Sequence, residues 1–121
     1  MGKRILISDD EADVIATAKL RLEASGYEVS ATCGSKTVED ARKYKPDLII
    51  LDVIMPDMDG FAVLRELKRD ADLSRTPVII FSAKPKAAMI ELFGPEGIAG
   101  YVSKPYEGKD LLDQVKQVLG S

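Results

Sequence analysis

Histidine and tryptophan are absent from the 121 residues, and Cys33 is the single cysteine. Without histidine, Ser-His and Cys-His catalysis and a His-ligated zinc site are excluded, and one cysteine cannot close an internal disulfide. No apolar run approaches the roughly 18–20 residues that a membrane-spanning helix needs. The apolar stretch behind Lys3 and Arg4 is too short for a signal peptide and runs straight into Ser8-Asp9-Asp10, so a cytosolic location is expected. Lysine and arginine form no cluster and the formal net charge is −3, which leaves non-specific binding to nucleic acid without an electrostatic basis.

What is present is enough apolar material, 45% of the residues, for one hydrophobic core. Ile5-Leu6-Ile7, Leu48-Ile49-Ile50-Leu51 and Val78-Ile79-Ile80-Phe81 are short, continuous and rich in β-branched residues. Such runs predict strands buried on both faces of a parallel sheet. Tyr27 to Ala31 alternates and is more polar, as an edge strand would be, and Ile98 to Val102 reads as a fifth strand interrupted by Gly100. Between them lie helical patterns. Val14, Ile15, Ala18 and Leu22 share a face in a helix ended by Gly26, and Val38, Ala41 and Arg42 share one in a helix closed by Pro46. Phe61, Leu64 and Leu67 mark a third, and Ala88, Met89, Leu92 and Phe93 a fourth that Gly94-Pro95 stops. Leu111, Leu112, Val115, Val118 and Leu119 form the clearest stripe. Strand then helix, five times over, predicts an α/β domain with a parallel sheet and right-handed crossovers, a single domain over residues 1–121.

In open α/β sheets, ligands bind beyond the carboxyl ends of the strands. Asp9 and Asp10 follow the first run, Asp52 the third and Ser82 the fourth, while Ser103, Lys104 and Pro105 follow the fifth. A lone aspartate in such a place often caps a helix. Three of them with a lysine on one rim are harder to explain as caps. Clustered carboxylates repel one another unless a cation intervenes, and an all-oxygen donor set favours a hard ion such as Mg²⁺ over zinc. Mg²⁺ keeps positions for water and phosphate oxygens, so the rim reads as a phosphoryl site. Asp52 is its best nucleophile, because a carboxylate can attack phosphorus to form an acyl phosphate and is ordinarily ionised at neutral pH. Lys104 and the metal would neutralise the transferring group, and the Ser82 hydroxyl would donate a hydrogen bond.

Four segments carry a family resemblance: Ile5-Leu6-Ile7-Ser8-Asp9-Asp10-Glu11, Pro46 to Gly60, Pro77 to Lys84, and Gly100 to Tyr106. In this order and spacing the chain resembles the response-regulator receiver domain of two-component signalling, a chemotaxis-regulator-like module, over essentially its whole length. The resemblance implies a doubly wound, flavodoxin-like α/β fold with strand order 2-1-3-4-5 and five helices. It implies Asp52 as phosphoacceptor, and Asp10, Asp9, Asp52 and the Ile54 backbone carbonyl around Mg²⁺ or Mn²⁺. Ser82 would be the switch hydroxyl, Lys104 the phosphate-pairing amine and Tyr101 the aromatic that changes rotamer, with a cis bond before Pro105. The implied partners are a histidine kinase or histidine phosphotransfer protein and a downstream protein reading the face of the fourth helix, fifth strand and fifth helix. No nucleic acid, membrane or output domain is expected, and the module is a phosphoacceptor rather than an enzyme with turnover.

Two features depart from the family pattern. Pro95 lacks a backbone donor and disfavours helix at Gly94, so the fourth helix should end early and reshape the output face. Ile54 stands where many relatives carry a polar or acidic side chain. It would not help to position a hydrolytic water, so slow loss of the phosphoryl group is expected. Ile54 also argues against a dehalogenase-type phosphatase, which carries a second acid at that position. A flavin binder would need a Ser/Thr/Gly-rich phosphate loop after the first strand, and none is there.

Overall fold

The computed structural model describes residues 3–55, 58–103 and 108–120. Five strands, β1 (Arg4–Ser8), β2 (Glu28–Thr32), β3 (Leu48–Leu51), β4 (Val78–Ser82) and β5 (Gly100–Ser103), form one parallel sheet in the order β2-β1-β3-β4-β5. Helices α1 (Ala12–Ala24), α2 (Thr37–Tyr44), α3 (Gly60–Arg69), α4 (Lys86–Phe93) and α5 (Gly108–Leu119) alternate with them. Among the described residues, no helix is long and apolar enough to cross a membrane.

The continuous apolar runs are explained by two cores. Successive strand residues point to opposite sides of the sheet. Ile5, Ile7, Leu48, Ile50, Ile79, Phe81 and Val102 therefore meet Ala18 and Leu22 of α1 and Leu111 and Val115 of α5. Leu6, Ile49, Leu51, Val78 and Ile80 meet Val38 and Ala41 of α2, Val63, Leu64 and Leu67 of α3, and Met89 and Phe93 of α4. Each fully buried aliphatic side chain contributes about 1.5–3 kcal/mol, so the central strands are held from both sides. β2 lies at the edge, as its more polar sequence predicts, but its burial does not alternate: Val29 and Thr32 are covered, Glu28 and Ala31 are exposed and Ser30 is intermediate.

Several local expectations need correction. β5 begins at Gly100, so this glycine opens the strand and does not interrupt it. A Cβ there would lie 2.5 Å from Gln114 Oε1, so the missing side chain leaves room for the α5 amide over the strand. Ile98 lies before the strand and packs, half-buried, on the core beneath α3 and α4. Arg42 does not share the buried face of α2. It is exposed and pairs through Nε with the Asp70 carboxylate beyond the end of α3. Leu92 is also exposed, which narrows the buried face of α4 to Met89 and Phe93. α4 does end early, at Phe93, and passes into a 3-10 turn over Gly94–Glu96 closed by Gly97 at φ +72°.

One small element had no signal in the periodicity. Ile54–Met55 pairs antiparallel with Met58–Asp59, turning the chain from β3 into α3. Gly60 then starts α3 directly against residue 53, where an added Cβ would come within 2.4 Å of the Val53 Cα. The obstacle is backbone, so it cannot rotate away. Gly60→Ala should cost about 1–3 kcal/mol by overpacking, read as a lower urea midpoint at unchanged slope.

Asp70 supplies a pH dependence. The hydrogen bond from Arg42, with backbone donors at Asp72 and Leu73, holds its carboxyl below the usual carboxylate value. A lowered pKa in the folded chain means stability that is complete above the unfolded value of about 4 and lost as pH falls through the folded one. Arg42→Ala should therefore shift the onset of acid unfolding to higher pH, as followed by circular dichroism.

Candidate functional site

Parallel strands deliver β1 and β3 to the same edge side by side, with Ser8 opposite Leu51 in register. The hydrogen-bond ladder continues one residue further. The Asp52 amide donates to the Ser8 carbonyl at 2.9 Å, and the Asp9 amide donates to the Thr32 carbonyl at 3.1 Å. Both aspartates are thereby fixed at the rim by backbone hydrogen bonds. Asp9 is fully buried and Asp52 is 2% exposed, whereas Asp10 and Glu11 face solvent.

Asp9 Oδ1 accepts the Glu11 amide at 2.9 Å, an Asx-type turn that folds the Asp9–Glu11 segment back on itself. The result is a cluster in which carboxylate oxygens of Asp9, Asp10, Glu11 and Asp52 all lie within 4.8 Å of one another. The capping alternative fails here: α1 starts at Ala12, its N-cap is Glu11, and no side-chain cap bond is made. Buried carboxylates are costly unless paired or bound to a metal. A set made only of carboxylate oxygens, two of them withdrawn from water, fits a hard divalent cation and not a soft one. Glu11 is the addition to the predicted ligand set. Its signal in the sequence is its place directly after Asp9-Asp10.

The other predicted residues are distributed as follows. Ile54 opens the short antiparallel pair two residues after Asp52. Ser82 ends β4, the strand next to β3, and is fully buried; its Oγ accepts the Lys84 amide at 3.2 Å. Ser103 sits opposite Ser82 in register and donates its hydroxyl to the Lys84 carbonyl at 2.9 Å. Lys84 is thus pinned through its own amide and carbonyl, fixing the chain as it leaves β4. Tyr101 lies back from the rim, paired with Ile80, and is half-buried against the α3–α4 core. Burial pushes its phenol above the ordinary tyrosine value. Lys104 and Pro105 lie outside the described residues.

Residues 5–116 match the response regulator receiver domain family. The chain is 34% identical, over 98% of its length, to the alkaline phosphatase synthesis transcriptional regulatory protein PhoP of Bacillus subtilis, of which the match covers 49%. It is 35% identical to Protein PilH of Pseudomonas aeruginosa, with 96% of this chain and 97% of that protein covered. The chain therefore spans about half the length of the first relative and nearly all of the second. In fold it is similar to the receiver domain of a Pseudomonas aeruginosa sensor histidine kinase whose active-site cleft coordinates a magnesium ion, with a TM-score of 0.87 at 24% identity and 100% of each chain covered. With the sheet order, the acidic rim and a family match over nearly the whole chain in agreement, the protein belongs to the response regulator receiver domain family.

Proposed function

We propose that Asp52 is the phosphoacceptor of this receiver domain, taking its phosphoryl group from a phosphohistidine on a histidine kinase or phosphotransfer protein. Receiver domains are phosphorylated by histidine kinases as a family. One observation carries the assignment to Asp52: it follows the central strand β3, and its carboxylate lies within 4.8 Å of the three acids that follow β1. An Asp52 oxygen attacks phosphorus as the P–N bond breaks, and the electron pair of that bond leaves on the imidazole. The product is an acyl phosphate.

Asp9, Asp10 and Asp52, with the Ile54 carbonyl, would hold a divalent cation, Mg²⁺ or Mn²⁺, and Glu11 stands close enough to join through its own carboxylate. The magnesium of the Pseudomonas receiver domain supports that choice of ion. When bound, such an ion neutralises charge building on the phosphoryl oxygens. The chain's own residues set the geometry: the hydrogen bond from the Asp52 amide to the Ser8 carbonyl keeps the nucleophile at the rim, and the Asx turn keeps Asp9 and Asp10 beside it. Lys104 would pair with a phosphoryl oxygen.

The signal would begin at Ser82. Its buried hydroxyl accepts the Lys84 amide, and its own proton would go to an acceptor oxygen of a phosphoryl group on Asp52. Drawing Ser82 toward the phosphate would loosen the chain before α4 and give Tyr101 a second packing against α4. Phosphorylation then shifts the population between two packings of the α4–β5–α5 face, which a downstream protein reads.

Acetyl phosphate with Mg²⁺ should add one phosphoryl group by intact mass, absent in Asp52→Asn and absent from wild type after chelation. A mass unchanged in wild type, or an adduct surviving in Asp52→Asn, would reject the assignment. With Ile54 unable to order a hydrolytic water, the adduct should decay over minutes; decay within seconds would contradict that reading.

A further inference from the structure

Behind the acids lies a polar pair that the phosphoryl chemistry leaves unused. Ser8 and Thr37 are fully buried on the side of the sheet that otherwise packs Leu6, Leu51, Val38 and Ala41. Their hydroxyl oxygens are 2.7 Å apart, and Thr37 Oγ1 donates to the Gly34 carbonyl at 2.8 Å. A hydroxyl has one hydrogen and a carbonyl can only accept. The Thr37 proton is therefore committed to Gly34, and Ser8 must be the donor between the two hydroxyls. The relay runs one way, from the last residue of β1 through the first residue of α2 to the turn over Gly34–Lys36.

What the relay holds is the peptide group that joins Ser8 to Asp9. The carbonyl of that peptide accepts the Asp52 amide, and its N–H donates to Thr32. One rigid plane thus ties the ends of β1, β2 and β3 together; Asp9 belongs to it and Asp52 is hydrogen-bonded to it. α2 grips this junction twice, through Thr37 to Ser8 and through Asp40, whose carboxylate accepts the Thr32 hydroxyl at 2.6 Å. A buried hydroxyl that loses its partner is costly, so the pair resists any spreading of the junction driven by repulsion among the carboxylates.

The geometry points to Ser8 and Thr37 as positioning residues, a hydroxyl relay that holds Asp9, Asp10 and Asp52 at the spacing a divalent cation requires. The inference rests on the cation site proposed above. Groups that orient metal ligands from outside typically change affinity 10–100-fold when removed. Acting through one peptide plane, this relay should account for about tenfold.

Mn²⁺ binding, followed by the electron paramagnetic resonance of the free ion, separates the possibilities when run beside urea unfolding. Thr37→Val strands the Ser8 hydroxyl and should lower both stability and Mn²⁺ affinity, whereas Thr37→Ser keeps the relay and should restore both. Ser8→Ala combined with Thr37→Val removes both hydroxyls together, so stability should recover while Mn²⁺ affinity stays about tenfold weak. A double variant that binds Mn²⁺ as tightly as wild type would show the pair to be structural only and overturn the relay. A wild type that binds no Mn²⁺ would overturn the cation site itself, and the relay's role with it.

Discussion

Four carboxylates brought within 4.8 Å of one another repel, and the rest of the structure can be understood as what holds them there. The side chains cannot do this alone. The restraint comes from backbone bonds that extend the β-ladder one residue past the strands, from Asp52 to Ser8 and from Asp9 to Thr32. Those bonds are stable because the strands beneath them are buried on both faces. The apolar runs of β1, β3 and β4 thus serve the chemistry indirectly, by making a rigid edge from which charged groups can be suspended.

The parallel arrangement matters as much as burial. Antiparallel neighbours would send the acids after β1 and β3 to opposite ends of the sheet. Right-handed crossovers through helices bring every carboxyl end to one side. Asp9, Asp10, Asp52 and Ser82, spread over more than half of the chain, thereby become neighbours along one rim. On the opposite flank, Tyr101 sits two residues short of Ser82 in register and rests against the α3–α4 core.

Most of this was legible because the informative residues are either apolar in runs or charged at run ends. The order of elements and the meeting of Asp9, Asp10 and Asp52 follow from period-2 and period-3.6 patterns and one topological rule. The failures have local physical causes. Gly100 reads as a break in a strand because glycine weakens strands, yet it opens β5, with the Gln114 amide lying over the space a side chain would take. Arg42 fell on the apolar stripe by helical spacing, but its partner Asp70 lies far off in sequence, and no periodicity reveals a long-range ion pair. The pair of two-residue strands around Met55 and Met58 is too short to show alternation. Glu11 was visible as a residue but its place among the rim carboxylates was not, because the turn closed by Asp9 Oδ1 brings it there.

The dependence of the whole account on a cation among these carboxylates can be tested without any phosphoryl donor. Amide proton–nitrogen spectra recorded through a Mg²⁺ titration should show saturable shifts at Asp9, Asp10, Glu11 and Asp52, with Gly26 and Lys45 at the far end of the sheet unmoved. Spectra that stay unchanged into millimolar Mg²⁺, or that shift uniformly across both ends of the sheet, would contradict it.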